Sequence, residues 1–111
     1  MMPSTSVSAD LQQIFSLRAQ FSYLFDADEL ISSPSLVPAD LQGKFHEAKF
    51  RFLSIRDQLQ FRVDQSSVAP RDLLVALHVI NRLIHELLLQ EKVYLEAVAL
   101  VQSIVDKVGM E

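Results

Sequence analysis

Cysteine is absent from this chain of 111 residues. Its absence excludes a disulfide-stapled fold, a zinc–thiolate site and a thiol nucleophile. Glycine occurs only at Gly43 and Gly109, and there are four prolines. So little turn material, with no sustained alternation of apolar and polar residues, argues against a β-sandwich or barrel. The same scarcity removes the phosphate-cradling glycine loop and the Gly-x-Ser-x-Gly elbow. Long hydrophobic runs are missing too: the longest, residues 73–77 and 97–101, fall far short of the roughly 18–20 apolar residues a bilayer requires. The net charge of −4 speaks against a general phosphate-backbone binder, which carries a basic excess. Lys44, Lys49, Arg51, Arg56 and Arg62 lie on one segment but alternate with Glu47 and Asp57, as on a solvated helix face. The N-terminal Met-Met-Pro-Ser-Thr-Ser-Val-Ser-Ala-Asp has neither a basic nor an apolar stretch, so no cleavable export signal is expected, and its small polar residues predict a flexible segment.

What is abundant is apolar residues at helical spacing: half of the chain is hydrophobic. The fold expected is all-α, a helical hairpin with a long C-terminal helix plus a short N-terminal amphipathic helix. Residues 1–39 form a flexible region with a helix over about 9–25 and a loop; residues 40–111 form the hairpin, with helices over about 40–64 and 70–108. In the first segment Leu11, Ile14, Phe15, Phe21, Leu24 and Phe25 recur near every third or fourth position. Asp26, Ala27 and Asp28 end it, and Pro34 and Pro38 mark the loop that follows. The second opens at Asp40 as N-cap and carries Leu41, Phe45, Ala48, Phe52, Ile55, Leu59 and Val63 at alternating steps of four and three, the seam of a helix that lies along another. Phe50 and Phe61 fall off that seam and read as a second contact surface.

Pro70 stands at the hairpin turn, at the first turn of the third segment, where a missing N–H costs nothing. That segment has no internal glycine or proline as far as Val108, enough for a helix of roughly 57 Å. One stripe holds Leu73, Leu77, Ile80, Ile84, Leu87, Tyr94, Val98, Val101, Val105 and Val108, interrupted by Glu91; beside it runs a second, with Ala76, Val79, Leu83, Val93, Ala97, Leu100 and Ile104. The second segment buries the first stripe, so internal packing is expected of Phe45, Phe52, Ile55, Leu59, Leu73, Leu77, Ile80, Ile84 and Leu87. About five large side chains of the second stripe remain, each worth roughly 1.5–3 kcal/mol if buried. The N-terminal helix covers part of them. Contacts with other subunits are expected of the rest: Val79, Leu83, Val93, Leu100 and Ile104, with Arg82 and Lys92 supplying polar contacts.

Sites for chemistry are scarce. His78 and His85 stand two turns apart, roughly 10 Å along a helix, too far to share one metal ion within a chain, and the His-x-x-x-His spacing of helical zinc sites does not occur. The acidic cluster Asp26, Asp28 and Glu29 lacks the further oxygen ligands and glycine of a calcium loop. Phe15, Phe45 and Phe52 stand at core spacings. No catalytic residue, cofactor or metal is expected, and the chain is not expected to be an enzyme.

The run Pro70-Arg71-Asp72-Leu73-Leu74, followed by Arg82-Leu83, Leu89, Lys92 and Val101, resembles the C-terminal helix of the type III secretion inner rod proteins across roughly 40 residues. Residues 45–63, with Ala48-Lys49 and Asp57-Gln58-Leu59, are more loosely similar to the preceding helix in that family; the first 40 residues show no match. Ala69 and Leu77 depart from the aspartate and glutamine common in the family. The resemblance implies a bacterial structural subunit, made in the cytoplasm and exported without a cleavable signal. Such a subunit joins the export gate or base to the needle; its partners are further copies of itself, the needle subunit, the export gate and a dedicated chaperone. It further implies that Pro70, Leu73 and Leu74 set the turn, and that Arg82 and Lys92 make inter-subunit contacts. Related needle and axial subunits, including the flagellar ring-to-rod adaptor, share the plan. The competing class is a cytoplasmic helical chaperone or adaptor that binds a partner helix.

Overall fold

The computed structural model describes residues 3–26 and 38–109. Helix α1 spans Pro3–Gln20 and passes into a single 3-10 turn over Ser22–Phe25; α2 spans Pro38–Gln65 and α3 spans Arg71–Gly109. The fold is all-α: a helical hairpin of α2 and α3 with an N-terminal helix against it. The molecule is elongated, 71 Å by 22 Å by 17 Å, because α3 alone, at 39 residues, is about 58 Å long.

Helix boundaries differ from the expected ones in informative ways. The first helix starts at Pro3, and α2 at Pro38; each proline occupies a first helical position, where its fixed φ suits the helix and its absent N–H is no loss. Asp40 therefore lies inside α2 and is not its cap. The end of α1 is tighter than expected: Leu17 O accepts from Phe21 N (3.2 Å) and Phe21 O from Leu24 N (2.9 Å), so the chain narrows into a 3-10 turn before Phe25. Of the inter-helix loop expected at residues 32–38, Pro38 begins α2 and the rest lies outside the described residues.

Pro70 sits just before α3, and its carbonyl accepts from Leu73 N (3.1 Å) and Leu74 N (3.2 Å). The residue that cannot donate thus satisfies two of the unpaired donors at the helix start. At the other side of the turn, Val63 O accepts from Ser66 N at 3.2 Å and closes α2.

One core runs along the bundle. From α2 it takes Leu41, Phe45, Ala48, Phe52, Ile55 and Leu59, and from α3 Leu73, Ala76, Ile80, Ile84, Leu87 and Tyr94. These α2 residues are the four-three seam of the sequence. Helix α1 and the 3-10 turn add Ile14, Leu17, Phe21 and Leu24, with Phe25 meeting Phe52 edge-on at 6.0 Å between ring centroids, a favoured aromatic geometry. Phe15, expected in the core, is more than half exposed. It stands one residue, about 100° of helix, from Ile14, which the core takes instead. Leu17 completes the buried face at a spacing of three from Ile14 and four from Phe21.

Candidate interaction surface

Two contacts set the hairpin register. The Phe45 and Tyr94 rings lie 5.9 Å apart, and Lys49 Nζ reaches both carboxylate oxygens of Glu91, at 3.0 Å and 2.8 Å. Glu91, the one polar interruption of the α3 stripe, is thus a half-buried ion pair with Lys49. The partner could not be read from spacing, because it comes from a position 42 residues away. In this antiparallel register Pro38, the first residue of α2, faces about residue 101 of α3. Every residue of α3 from Ala99 to Gly109 is exposed, and past the level of Pro38 the helix projects by about 12 Å.

Helix α1 covers only the opposite end. Asp10 pairs with Arg62 at 2.7 Å, and Arg51 Nη1 donates to Gln20 Oε1 at 3.5 Å, so α1 runs antiparallel to α2 over residues 51–62. The Arg18 guanidinium lies 4.3 Å from the centroid of the Phe25 ring and that of Arg51 5.9 Å from the Phe21 ring, cation–π contacts that fasten the end of this helix. Carried across the hairpin, the same register places α1 beside roughly residues 78–89 of α3.

The expected site residues sort accordingly. Phe45, Phe52, Ile55, Leu59, Leu73, Ile80, Ile84 and Leu87 are buried, and Leu77 is partly buried against the same core. Of the residues expected to meet other subunits, Val93, Leu100 and Ile104 are exposed, as are Arg82 and Lys92. Val79 and Leu83 require correction. Both are partly buried against the core of their own chain, since α1 lies along that side of α3. A second correction concerns the first stripe: Val101, Val105 and Val108, expected under α2, are exposed, because α2 begins at the level of Val101 and does not reach Val105 or Val108.

Two apolar surfaces stand out. One is the projecting end of α3, with Leu100 at 64% and Val108 at 68% exposed, and Val101, Ile104 and Val105 more than half exposed. The other is the outward face of α2, where Phe50 is 75% and Phe61 64% exposed and, with Leu53, Ser54 and Asp57, they line a shallow groove. His46, His78 and His85 are exposed, and no group of three or more potential metal ligands occurs among the described residues. Among the same residues Tyr94 is the titratable group with a displaced pKa, raised by burial. No helix among the described residues is long and apolar enough to cross a membrane. No family model, curated protein or solved structure matches the chain.

Proposed function

We propose that this chain is a structural subunit of a bacterial type III secretion apparatus, an inner rod or adaptor component that joins the export gate or base to the needle and is itself exported. The observation that carries the reading is the end of α3, which has no helical partner among the described residues. A helix that projects about 12 Å beyond the start of α2, with Leu100, Val101, Ile104, Val105 and Val108 at and past that level more than half exposed, exposes an apolar surface of the kind that marks a protein contact. The sequence resemblance, which runs roughly 40 residues from Pro70, covers this helix. It supplies the specific assignment. In this reading α1 and the hairpin form the body of the subunit, Pro70 sets the turn, and the α3 end docks into the assembly.

Leu100→Asp tests the reading in a strain that carries the secretion genes. Leu100 is 64% exposed and outside the buried core, so helicity and melting should be unchanged. Secretion of later substrates should be lost, and the wild-type chain should be recovered in sheared needle complexes and in the medium. Normal secretion by Leu100→Asp would refute the assignment. A wild-type chain confined to the cytoplasm would instead favour a helical chaperone or adaptor. Leu83→Asp does not serve this purpose, because Leu83 is half covered by its own chain and its loss perturbs the fold.

A further inference from the structure

Helix α1 and the hairpin are held by contacts of different kinds. Leu41, Phe45, Ala48 and Tyr94 are buried beyond the level of Gln20, the last residue of α1, and the half-buried Lys49–Glu91 pair lies there too. The hairpin is therefore fastened where α1 does not run. Helix α1 and its 3-10 turn, by contrast, are seated by one row of buried side chains, Ile14, Leu17, Phe21 and Leu24, at steps of three, four and three. Their polar ties are exposed: Arg62 with Asp10, and Arg51 with Gln20 at 3.5 Å, and ties of this kind contribute little. Locally α1 is a poor helix. Pro3 is followed by Ser4, Thr5, Ser6 and Ser8, residue types that favour caps and turns over helix interiors, and no acidic residue in the first turn offsets the helix dipole. An isolated segment of this kind barely holds a helix in water, so α1 owes its helicity to its seat. That seat includes Val79 and Leu83, which belong to the same stripe of α3 that lies exposed further along at Val93, Leu100 and Ile104. Helix α1 is what separates the covered length of this stripe from the bare one.

We propose that α1 with its 3-10 turn is a displaceable cover: it opens as one unit, melts as it leaves, and bares its seat while the α2–α3 hairpin stays folded. Elements with few buried contacts open before the body of a protein does. Opening parts Asp10 from Arg62 and Phe25 from Phe52, and leaves the Phe45–Tyr94 and Lys49–Glu91 contacts in place. The bared seat accepts a helix with the chemistry of α1 itself: an apolar row at steps of three, four and three, with an acidic residue one turn ahead of it, as Asp10 stands four residues ahead of Ile14, laid into an apolar groove. The device belongs to the body of the molecule and stands whether or not the chain is part of a secretion apparatus.

Amide hydrogen exchange of the purified full chain, read by mass spectrometry, tests this directly. Amides of residues 9–20 should exchange at least about 100-fold faster, relative to their unprotected rates, than those of residues 45–59 and 80–94. Equal protection in the three stretches, with the same dependence on urea, would show that α1 opens only when the whole chain unfolds, and would overturn the proposal. Leu17→Asp places a charge in the buried row and should abolish protection in α1 while the hairpin keeps its own; a Leu17→Asp chain that is unfolded throughout overturns the proposal as well, because the hairpin would then depend on its cover. Arg62→Gln removes only the tie to Asp10, and should speed exchange in α1 several-fold without change in the hairpin. A labelled synthetic peptide of residues 3–26 is the probe of the bared seat. By fluorescence anisotropy it should bind the Leu17→Asp chain at least about tenfold more tightly than the wild type, whose own α1 occupies the site, and the same peptide carrying Leu17→Asp should bind neither. A peptide that ignores a Leu17→Asp chain with a folded hairpin would refute the seat.

Discussion

The two ends of α3 are built from similar residues and meet different fates. Around residues 73–87, Leu73, Ala76, Ile80, Ile84 and Leu87 are buried and Val79 and Leu83 are half covered; from Leu100 onward Val101, Ile104, Val105 and Val108 are open to solvent. Hydrophobicity does not separate the two ends. What separates them is company: the turn end has α2 on one side and α1 on another, whereas the far end outruns both. Between them lies a transitional stretch where α2 alone is the described helical partner. There the Lys49–Glu91 pair and the Phe45–Tyr94 contact hold the hairpin, and Gln90 Oε1 is buried without a hydrogen-bond partner.

This comparison can be broken or sharpened by substitutions along the bundle. The largest effect is expected in the three-helix region. Phe52→Ala removes a fully buried ring that meets Phe25, and urea denaturation should show a loss of about 3–5 kcal/mol; a loss under about 1 kcal/mol, the average for point variants, would mean that the turn end is no better packed than the far end. In the transitional stretch, Glu91→Ala leaves the half-buried Lys49 unpaired. Its cost should be about 1–2 kcal/mol, between that of an exposed pair and a fully buried one, and the double variant Lys49→Met/Glu91→Leu should recover most of it. Gln90→Leu removes an unsatisfied buried acceptor and should stabilise the fold by about 1 kcal/mol, visible as a raised midpoint in the same titration.

A smaller effect is expected from alkali. Burial raises the pKa of Tyr94 above its ordinary value of 10.0, so the unfolded chain loses the phenolic proton first. The stability tied to the neutral phenol is complete below the unfolded pKa and is lost as pH rises through the folded one. Stability should therefore fall above about pH 10 by more in the wild type than in Tyr94→Phe; equal falls would place the ring in water. The smallest effect belongs to the free end. Deletion of residues 100–111 should leave the stability within about 0.5 kcal/mol of the wild type, and a larger loss would show that the projection supports its own bundle.

Much of this architecture was legible in the residues. The four-three rhythm from Leu41 to Leu59 identified the buried face of α2 because a helix in contact with a helix repeats its contacts at that period. The uninterrupted run after Pro70 identified the length of α3, since nothing in it breaks the backbone pattern. Phe50 and Phe61 were recognisable as a separate surface because they fall off the seam. Other features were not legible. The partial burial of Val79 and Leu83 depends on where α1 docks, and periodicity is silent about which neighbour takes a face. The exposure of Phe15 and the burial of Leu17 turn on a rotation of α1 by about one residue, within the tolerance of its spacing.

The amino-acid order by itself determined that the chain is helical, that α2 and α3 lie together, and that α3 carries more apolar surface than one partner covers, because these follow from local backbone preference and from repeats within each segment. Tertiary structure alone decided which part of that surface stays bare. The register set by Phe45 with Tyr94 and Lys49 with Glu91 leaves the last eight or so residues of α3, up to Gly109, beyond the first residue of α2, and the pairing of Asp10 with Arg62 confines α1 to the other end. All of these contacts join residues far apart along the chain, 42 positions in the case of Lys49 and Glu91, and no local pattern encodes them.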